Sequence, residues 1–145
     1  MEQRISLVTL GVRDLARAKR FYEALGWRGQ EMQETVFFQT GGMALVLWGR
    51  DQLAADAAVA DIAAAGAFDG VALAQNVRSR EDVDRIAAEV AAAGGEVTKA
   101  PADTFYGGYA FYFRDPEGHS WEVAYNPGFT INADGTLTLP DFAAS

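Results

Sequence analysis

The sequence predicts an α+β fold built from two βαβββ units. Three observations carry this. A strand, a helix and three further strands follow one another twice; an offset of 65 residues maps the first strand and helix of one half onto the other; and each helix is bracketed by its own start and stop residues. In the first half, Ser6 to Val12 alternates as a strand does, and Asp14 stands where a helix N-cap belongs. Ala18, Phe21, Tyr22 and Leu25 then fall at i, i+3, i+4 and i+7, one buried helical face, with Gly26 just past its end. Trp27 to Glu31, Thr35 to Thr40 and Met43 to Trp48 read as strands, the last two joined at Gly41-Gly42, a hairpin signal.

The second half repeats the plan. Val71 to Val77 is a strand, Ser79 caps a helix with Asp82 three residues on, and Val83, Ile86, Ala87 and Val90 form its apolar face before Gly94 and Gly95. Glu96 to Lys99, Tyr109 to Phe113 and His119 to Tyr125 supply three strands. The last two flank Asp115-Pro116-Glu117-Gly118, a type I turn with Asp first, Pro second and Gly fourth. Val12-Arg13 precedes Phe21 by the interval at which Val77-Arg78 precedes Ile86, which fixes the offset. Between the halves alanine is concentrated, 17 of 27 copies lying in residues 51–100, and a short helix over Leu53 to Ala65 capped by Asp51 is expected there. One domain is therefore expected over residues 1–126, with units at about 5–49 and 70–126 and a linker at 50–69. The tail, 127–145, should carry a short hairpin turning at Asn132-Ala133-Asp134-Gly135.

Composition narrows the function. A chain of 145 residues without cysteine cannot use thiolate metal sites, disulfides or a Cys nucleophile. A net charge of -8 opposes a sequence-independent grip on nucleic acid or an anionic membrane, and favours neutral or cationic small ligands. The opening residues lack a basic segment followed by a long apolar run, so a cytoplasmic protein is expected.

Period-two alternation divides the strand residues between two faces. Val8, Leu10, Val12, Met43, Leu45, Leu47, Val71, Leu73, Val77, Trp121 and Val123 should pack beneath the helices. The opposite face then carries Leu7, Thr9, Ala44, Val46, Trp48, Ala72, Ala74, Asn76, Ser120, Glu122 and Ala124. That set is too poor in charge for open solvent and too poor in bulk for a tight core, which suits a cupped sheet lining a cavity. Among the aromatics of the second half, Phe111 and Phe113 belong in the core, whereas Phe105 and Tyr106 lie beside two glycines, free with Trp48 to stack on a planar or cationic ligand.

Three blocks in order give the chain a family resemblance: Gly11-Val12-Arg13-Asp14-Leu15; Arg20-Phe21-Tyr22 with Leu25-Gly26-Trp27; and Asp115-Pro116-Glu117-Gly118-His119-Ser120-Trp121-Glu122. Together they resemble the glyoxalase, bleomycin-resistance and extradiol-dioxygenase superfamily, the vicinal oxygen chelate fold, over about residues 5–126. The resemblance implies paired βαβββ units curled into a cupped, incomplete β-barrel with helices on its outer face, a small-molecule ligand and a homodimer. It also implies metal-ligand positions, which fall on Leu7, Val46, Ala72 and Glu122; only Glu122 can ligate. The expectation is thus a protein with no cofactor or metal, binding an apolar, aromatic or cationic small molecule at Leu7, Thr9, Val46, Trp48, Ala72, Asn76, Phe105, Tyr106, Ser120 and Glu122. The alternative is a metal-dependent lyase, isomerase or dioxygenase resembling lactoylglutathione lyase, in which Glu122 is the catalytic base or a ligand. His119, the sole histidine, follows a tight turn and is assigned a surface or supporting role. Alternation sets Glu122 among Leu7, Val46 and Ala72 as an isolated carboxylate, the alternative being a hydrogen bond accepted from a tyrosine, a backbone amide or Arg114.

Overall fold

A computed structural model describes residues 1–62 and 67–142. The chain divides into two compact units, Met1–Val71 with Asp115–His119, and Ala72–Arg114 with Ser120 onward. The first contains β1 (Leu7–Val12), α1 (Leu15–Ala24), β2 (Gly29–Met32), β3 (Thr35–Thr40), β4 (Met43–Gly49) and α2 (Arg50–Asp56). The second contains β5 (Ala72–Val77), α3 (Arg80–Ala92), β6 (Glu96–Asp103), β7 (Tyr109–Arg114) and β8 (Ser120–Tyr125), then β9 (Thr130–Ile131) and β10 (Leu137–Thr138).

The two four-stranded sheets have one topology. Their orders are β1-β4-β3-β2 and β5-β8-β7-β6. In each, the strand before the helix pairs in parallel with the last strand, and the other pairings are antiparallel. Leu7 and Ala72 open β1 and β5, Leu15 and Arg80 open α1 and α3, and both intervals are 65 residues. The helix ends also match. Beyond α1, the Gly26 N–H donates to the Glu23 carbonyl and the Trp27 N–H to that of Tyr22; beyond α3, Gly94 donates to Ala91 and Gly95 to Val90. Both are Schellman closures, with glycines at φ of 89° and 93° where a Cβ would be strained.

Each helix buries its apolar face on its own sheet. In the first unit Ala18, Phe21 and Tyr22 of α1 are buried with Leu10, Val12, Val36, Phe38, Leu45 and Leu47. Each large aliphatic or aromatic side chain so buried contributes roughly 1.5–3 kcal/mol. In the second, Val83 and Val90 of α3 are buried, as are Val77, Phe111, Phe113, Trp121 and Val123. The rings of Phe113 and Trp121 stack across β7 and β8 at 6.1 Å, only 6° from parallel. Phe111 and Phe113 are thus core residues, as expected.

Four expectations are corrected. First, Trp27 is not in a strand; its N–H closes α1 and its ring packs 5.3 Å from Tyr22 and 5.7 Å from Phe38, so β2 starts at Gly29. Second, β6 extends past Lys99 to Asp103 through Pro101, because its register shifts twice and an edge strand tolerates a residue without an N–H. Third, Val71 precedes β5 and is exposed. Fourth, α2 spans Arg50–Asp56, so Asp51 lies in its first turn and Gly49 precedes it without a side-chain cap. The position of α2 depends on Gly11, since a Cβ there would stand 3.1 Å from the Arg50 Cα. Arg50 in turn holds the chain after α2 through two bonds to the Asp61 carboxylate, at 2.6 and 2.7 Å. Of the expected helix Leu53 to Ala65, Ala63 to Ala65 lie outside the described residues.

The tail hairpin forms as read. β9 and β10 pair in antiparallel fashion around Gly135, at φ 87°, and the Arg78 guanidinium donates to the carbonyls of Ile131 and Asn132.

Candidate functional site

Strand register places the second unit's site residues in rows. On the face opposite α3, Ala74, Glu122 and Tyr112 stand side by side on β5, β8 and β7, with Lys99 beyond them on β6. The row on one side is Ala72, Ser120 and Arg114; on the other it is Asn76, Ala124 and Ala110. Four alanines in these rows make a low floor around one carboxylate. Ala72 and Ala74 are exposed, Glu122, Ser120 and Asn76 are half-buried, and the Asn76 amide lies 3.4 Å from the Ala124 carbonyl.

Tyr112 is the register neighbour of Glu122 on β7. Its phenol is held above its ordinary range first by burial and then by the adjacent Glu122 carboxylate, with a smaller push from Tyr106. Lys99 places its ammonium 5.8 Å from the centre of the Tyr112 ring, a cation–π distance. Tyr106 belongs to the β6–β7 loop, where Thr104 accepts from Gly107 through its carbonyl and from Gly108 through its hydroxyl. Its ring lies against Gly108, and a Cβ at that glycine would overlap both the ring and the Tyr125 carbonyl oxygen. Phe105 at the loop tip is fully exposed and meets Tyr106 edge-on at 5.3 Å. Of the expected residues, Glu122 stands beside Tyr112, which alternation alone did not select, while Tyr106 packs against Gly108 and Phe105 in the loop. The signal for it was present, since Tyr112 shares the parity of Ala110 and Arg114, opposite to that of the core residues Phe111 and Phe113.

In the first unit, Thr9 and Val46 are register neighbours, as are Leu7 with Ala44 and Gly11 with Trp48. Phe37 and Thr35 extend the Val46 and Trp48 rows onto β3. None of these residues ionises. Val46 is buried, Thr9 and Trp48 are half-buried, and Leu7 is exposed.

A second polar centre, built on the Asp115-Pro116-Glu117-Gly118-His119 turn, has richer bonding. The Asp115 carboxylate is buried and accepts from the Tyr22 hydroxyl at 2.7 Å and from the backbone N–H groups of Glu117 and His119, both at 2.9 Å. The His119 ring Nδ1 stands 3.0 Å from the same carboxylate. Burial alone would raise the Asp115 pKa, but the bonds from His119 and Tyr22 outweigh it and hold the carboxyl below its ordinary value. Burial likewise opposes a charged His119, yet its bond and attraction to Asp115, helped by Asp69 and Glu117, hold the imidazole above its ordinary value. Glu117, whose side chain is 2% exposed, accepts from the Arg13 and Asp14 N–H groups and from the Arg17 guanidinium at 2.7 Å. The turn thus braces the start of α1. Sequence reading found the turn and missed this centre, although a tyrosine on a buried helix face requires an acceptor for its hydroxyl.

The donor set does not fit a metal. The positions that the family resemblance assigns to ligands hold Leu7, Val46 and Ala72 beside Glu122, and a divalent ion needs several converging donors. Among the described residues no group of three or more His, Asp or Glu is gathered closely enough to hold one. No described helix is long and apolar enough to cross a membrane.

Comparison with known proteins follows the same lines. A glyoxalase-related enzyme from Fulvimarina pelagi is 35% identical, with a TM-score of 0.87 over 97% of this chain and 100% of that one. A lactoylglutathione lyase from Agrobacterium tumefaciens is 25% identical, with a TM-score of 0.64 over 86% of this chain and 94% of that one. A fosfomycin resistance protein from Mesorhizobium loti, 23% identical with a TM-score of 0.65 over 87% and 94% of the two chains, shares the fold. No curated protein matches the chain. The family model described as Glyoxalase/Bleomycin resistance protein/Dioxygenase superfamily matches residues 4–123. With that match and the paired βαβββ units, the chain belongs to the glyoxalase/bleomycin resistance protein/dioxygenase superfamily.

Proposed function

We propose that the protein binds a small apolar, aromatic or cationic molecule, and that Glu122 is its polar anchor. The observation that carries this is the half-buried carboxylate of Glu122, standing between Ala74 and Tyr112 in a face floored by alanines. Alanines leave room at the sheet surface, aromatic groups flank it, and one acceptor site fixes orientation, which is the usual composition of a small-molecule site. The adjacent rows of Thr9 with Val46 and of Gly11 with Trp48 in the first unit, which carry no ionisable group, supply a second surface for an apolar ligand. NMR chemical-shift mapping of the full chain against a panel of small aryl compounds tests the proposal. Shifts gathered on Ala72, Ala74, Tyr112, Ser120 and Glu122 support it; shifts gathered elsewhere in the saturating limit replace it. The same reading places the protein in the cytoplasm as a homodimer, whose mass light scattering measures directly.

A second reading is favoured by the 35% identity to a glyoxalase-related enzyme. In it Glu122 acts as a base or ligand in a lyase, isomerase or dioxygenase reaction. Elemental analysis separates the two: one equivalent of divalent metal per chain, lost in Glu122→Ala, would establish this reading over the binding one.

A further inference from the structure

The turn that braces α1 also builds an aspartate–histidine pair with which the proposed ligand face has no part. His119 is held in one orientation by two bonds to one side chain. Its backbone N–H donates to Asp115 Oδ1 at 2.9 Å, and its ring Nδ1 stands 3.2 and 3.0 Å from Asp115 Oδ1 and Oδ2. Gly118, at φ 91°, lets the chain double back, and the Asp115 N–H closes the turn on the His119 carbonyl at 3.0 Å. The Asp115 side chain is 0% exposed and is fixed from its other sides by the Tyr22 hydroxyl and the Glu117 N–H. An ionised carboxylate only accepts, so the proton of a neutral His119 ring sits on Nδ1 and the lone pair on Nε2. Nε2 has no hydrogen-bond partner among the described residues, and among them no buried side-chain nitrogen or oxygen lacks one. Nε2 therefore meets solvent, through the 12% of the side chain that is exposed.

This is the placement of a reactive imidazole, oriented by a carboxylate on one nitrogen and open on the other. No hydroxyl is bonded to Nε2 among the described residues, so the ring nitrogen itself is the nucleophile. We propose that Nε2 of His119 is a nucleophilic centre that takes the acyl group of an activated aryl ester and passes it to water. Nε2 bonds to the ester carbonyl carbon, and the C–O bond to the aryl group breaks, its electron pair leaving with the phenolate. The acyl-imidazolium so formed keeps its Nδ1 proton, and the Asp115 carboxylate lies against the positive charge. Water then adds to the acyl carbon and the Nε2–C bond breaks with its electrons returning to the ring. The carboxylic acid and one proton are released, and neutral His119 is restored. The groups that face His119 are Asp115 and Glu117 on the turn and Asp69 before β5, with Tyr22 behind Asp115 and Arg17 paired to Glu117. That acidic surround suits neutral and cationic esters over anionic ones.

Two esters test this on the full chain. Release of 4-nitrophenolate from 4-nitrophenyl acetate by the wild type should fall by about tenfold or more in His119→Asn. The rate should rise with pH through one midpoint, equal to that of the His119 imidazole resonance, because only the free Nε2 lone pair reacts. Asp115 is a positioning residue here: Asp115→Asn, which keeps the shape and removes the charge, should lower both midpoints together and slow the release. With 4-nitrophenyl trimethylacetate, whose hindered acyl group is slow to hydrolyse, peptide mass spectrometry should find the acyl group on His119. If either variant does not fold, the agreement of the two wild-type midpoints and the position of the acyl group decide. An unchanged rate in His119→Asn, a kinetic midpoint that departs from the imidazole midpoint, or acyl groups on Lys19, Lys99 or the N-terminus with none on His119 overturns the inference.

Discussion

The starts of α1 and α3 solve one problem in two ways. Both helices must satisfy the N–H groups of a first turn, and both begin with a side-chain cap: Asp14 accepts from Arg17, and Ser79 from Asp82. In α3 the arrangement stays local, with Glu81 and Asp82 in the first turn and Asp82 held below its ordinary pKa by Arg85 and then by Ser79. In α1 the first turn has no acidic residue, and Glu117, about a hundred positions along the chain, supplies the carboxylate. The backbone closures are the same in both units, while the support of one helix comes from a distant turn. Local support is legible in sequence as Ser-x-x-Asp; distant support is not, because nothing in the run Asp115 to His119 says which helix it will meet.

The largest effect that distinguishes the two starts should come from Asp115. Asp115→Ala leaves the Tyr22 hydroxyl, the His119 ring and two backbone N–H groups without their acceptor in a buried place. Losses of this kind reach about 3–5 kcal/mol, so urea unfolding of Asp115→Ala should show a deficit in that range or fail to reach a folded baseline. A deficit near that of a surface substitution would break the claim that the turn braces α1. Next, Glu117→Ala should cost about 2 kcal/mol and Ser79→Ala about 1 kcal/mol, because Glu117 serves three donors from a buried position and Ser79 serves one. Equal costs would reduce the comparison to two ordinary caps.

The pair His119 and Asp115 also gives the first unit a pH dependence near neutrality, since the one histidine of the sequence lies there. The folded His119 pKa lies above the ordinary 6.5, so the native state binds its proton more tightly than the unfolded chain does. That contribution is complete below 6.5 and is lost as pH rises through the raised folded value. Asp115, held below 3.8, works in the opposite sense: its contribution is present above 3.8 and is lost as pH falls through the lower folded value. Between the two limits the pair is at its strongest. Because His119 is the only histidine, its imidazole resonances titrate without assignment ambiguity, and a midpoint at or below 6.5 would contradict the geometry. His119→Asn should flatten the alkaline side of the stability profile and also weaken the acid side, because His119 is the first of the groups that hold Asp115 low.

Much of the fold was legible, for reasons that particular residues show. The bounds of β3, the caps Asp14 and Ser79, the stops Gly26 and Gly94 and the tail turn at Gly135 all depend on a few neighbouring residues, which sequence displays directly. What failed depended on tertiary contact. Trp27 left its expected strand for the Tyr22 and Phe38 rings, and β6 ran on through Pro101 because it lies at a sheet edge. At the candidate site, the parity of Glu122 was readable, but its place beside Tyr112 required the register of β7 against β8.

The smallest effect concerns helix ends, where a third closure tests the rule that the first two suggest. After α2, the Ala58 N–H donates to the Ala55 carbonyl and the Val59 N–H to that of Ala54, the same pattern that Gly26 and Gly94 complete. Here the residue in the left-handed region, at φ 55°, is an alanine. A Cβ in that conformation is strained by roughly 1–2 kcal/mol, whereas glycine adopts it freely. Glycine also widens the unfolded ensemble, which returns about half of that gain. Ala58→Gly should therefore stabilise the protein by about 0.5–1 kcal/mol, read as a rise in the urea midpoint at unchanged slope. Gly26→Ala and Gly94→Ala should lower the midpoint by a similar amount, since nothing stands within 4 Å of a Cβ at either glycine and backbone strain acts alone. A loss of stability in Ala58→Gly would mean that α2 ends differently in solution, with Ala58 outside the left-handed region and the match to the closures of α1 and α3 removed.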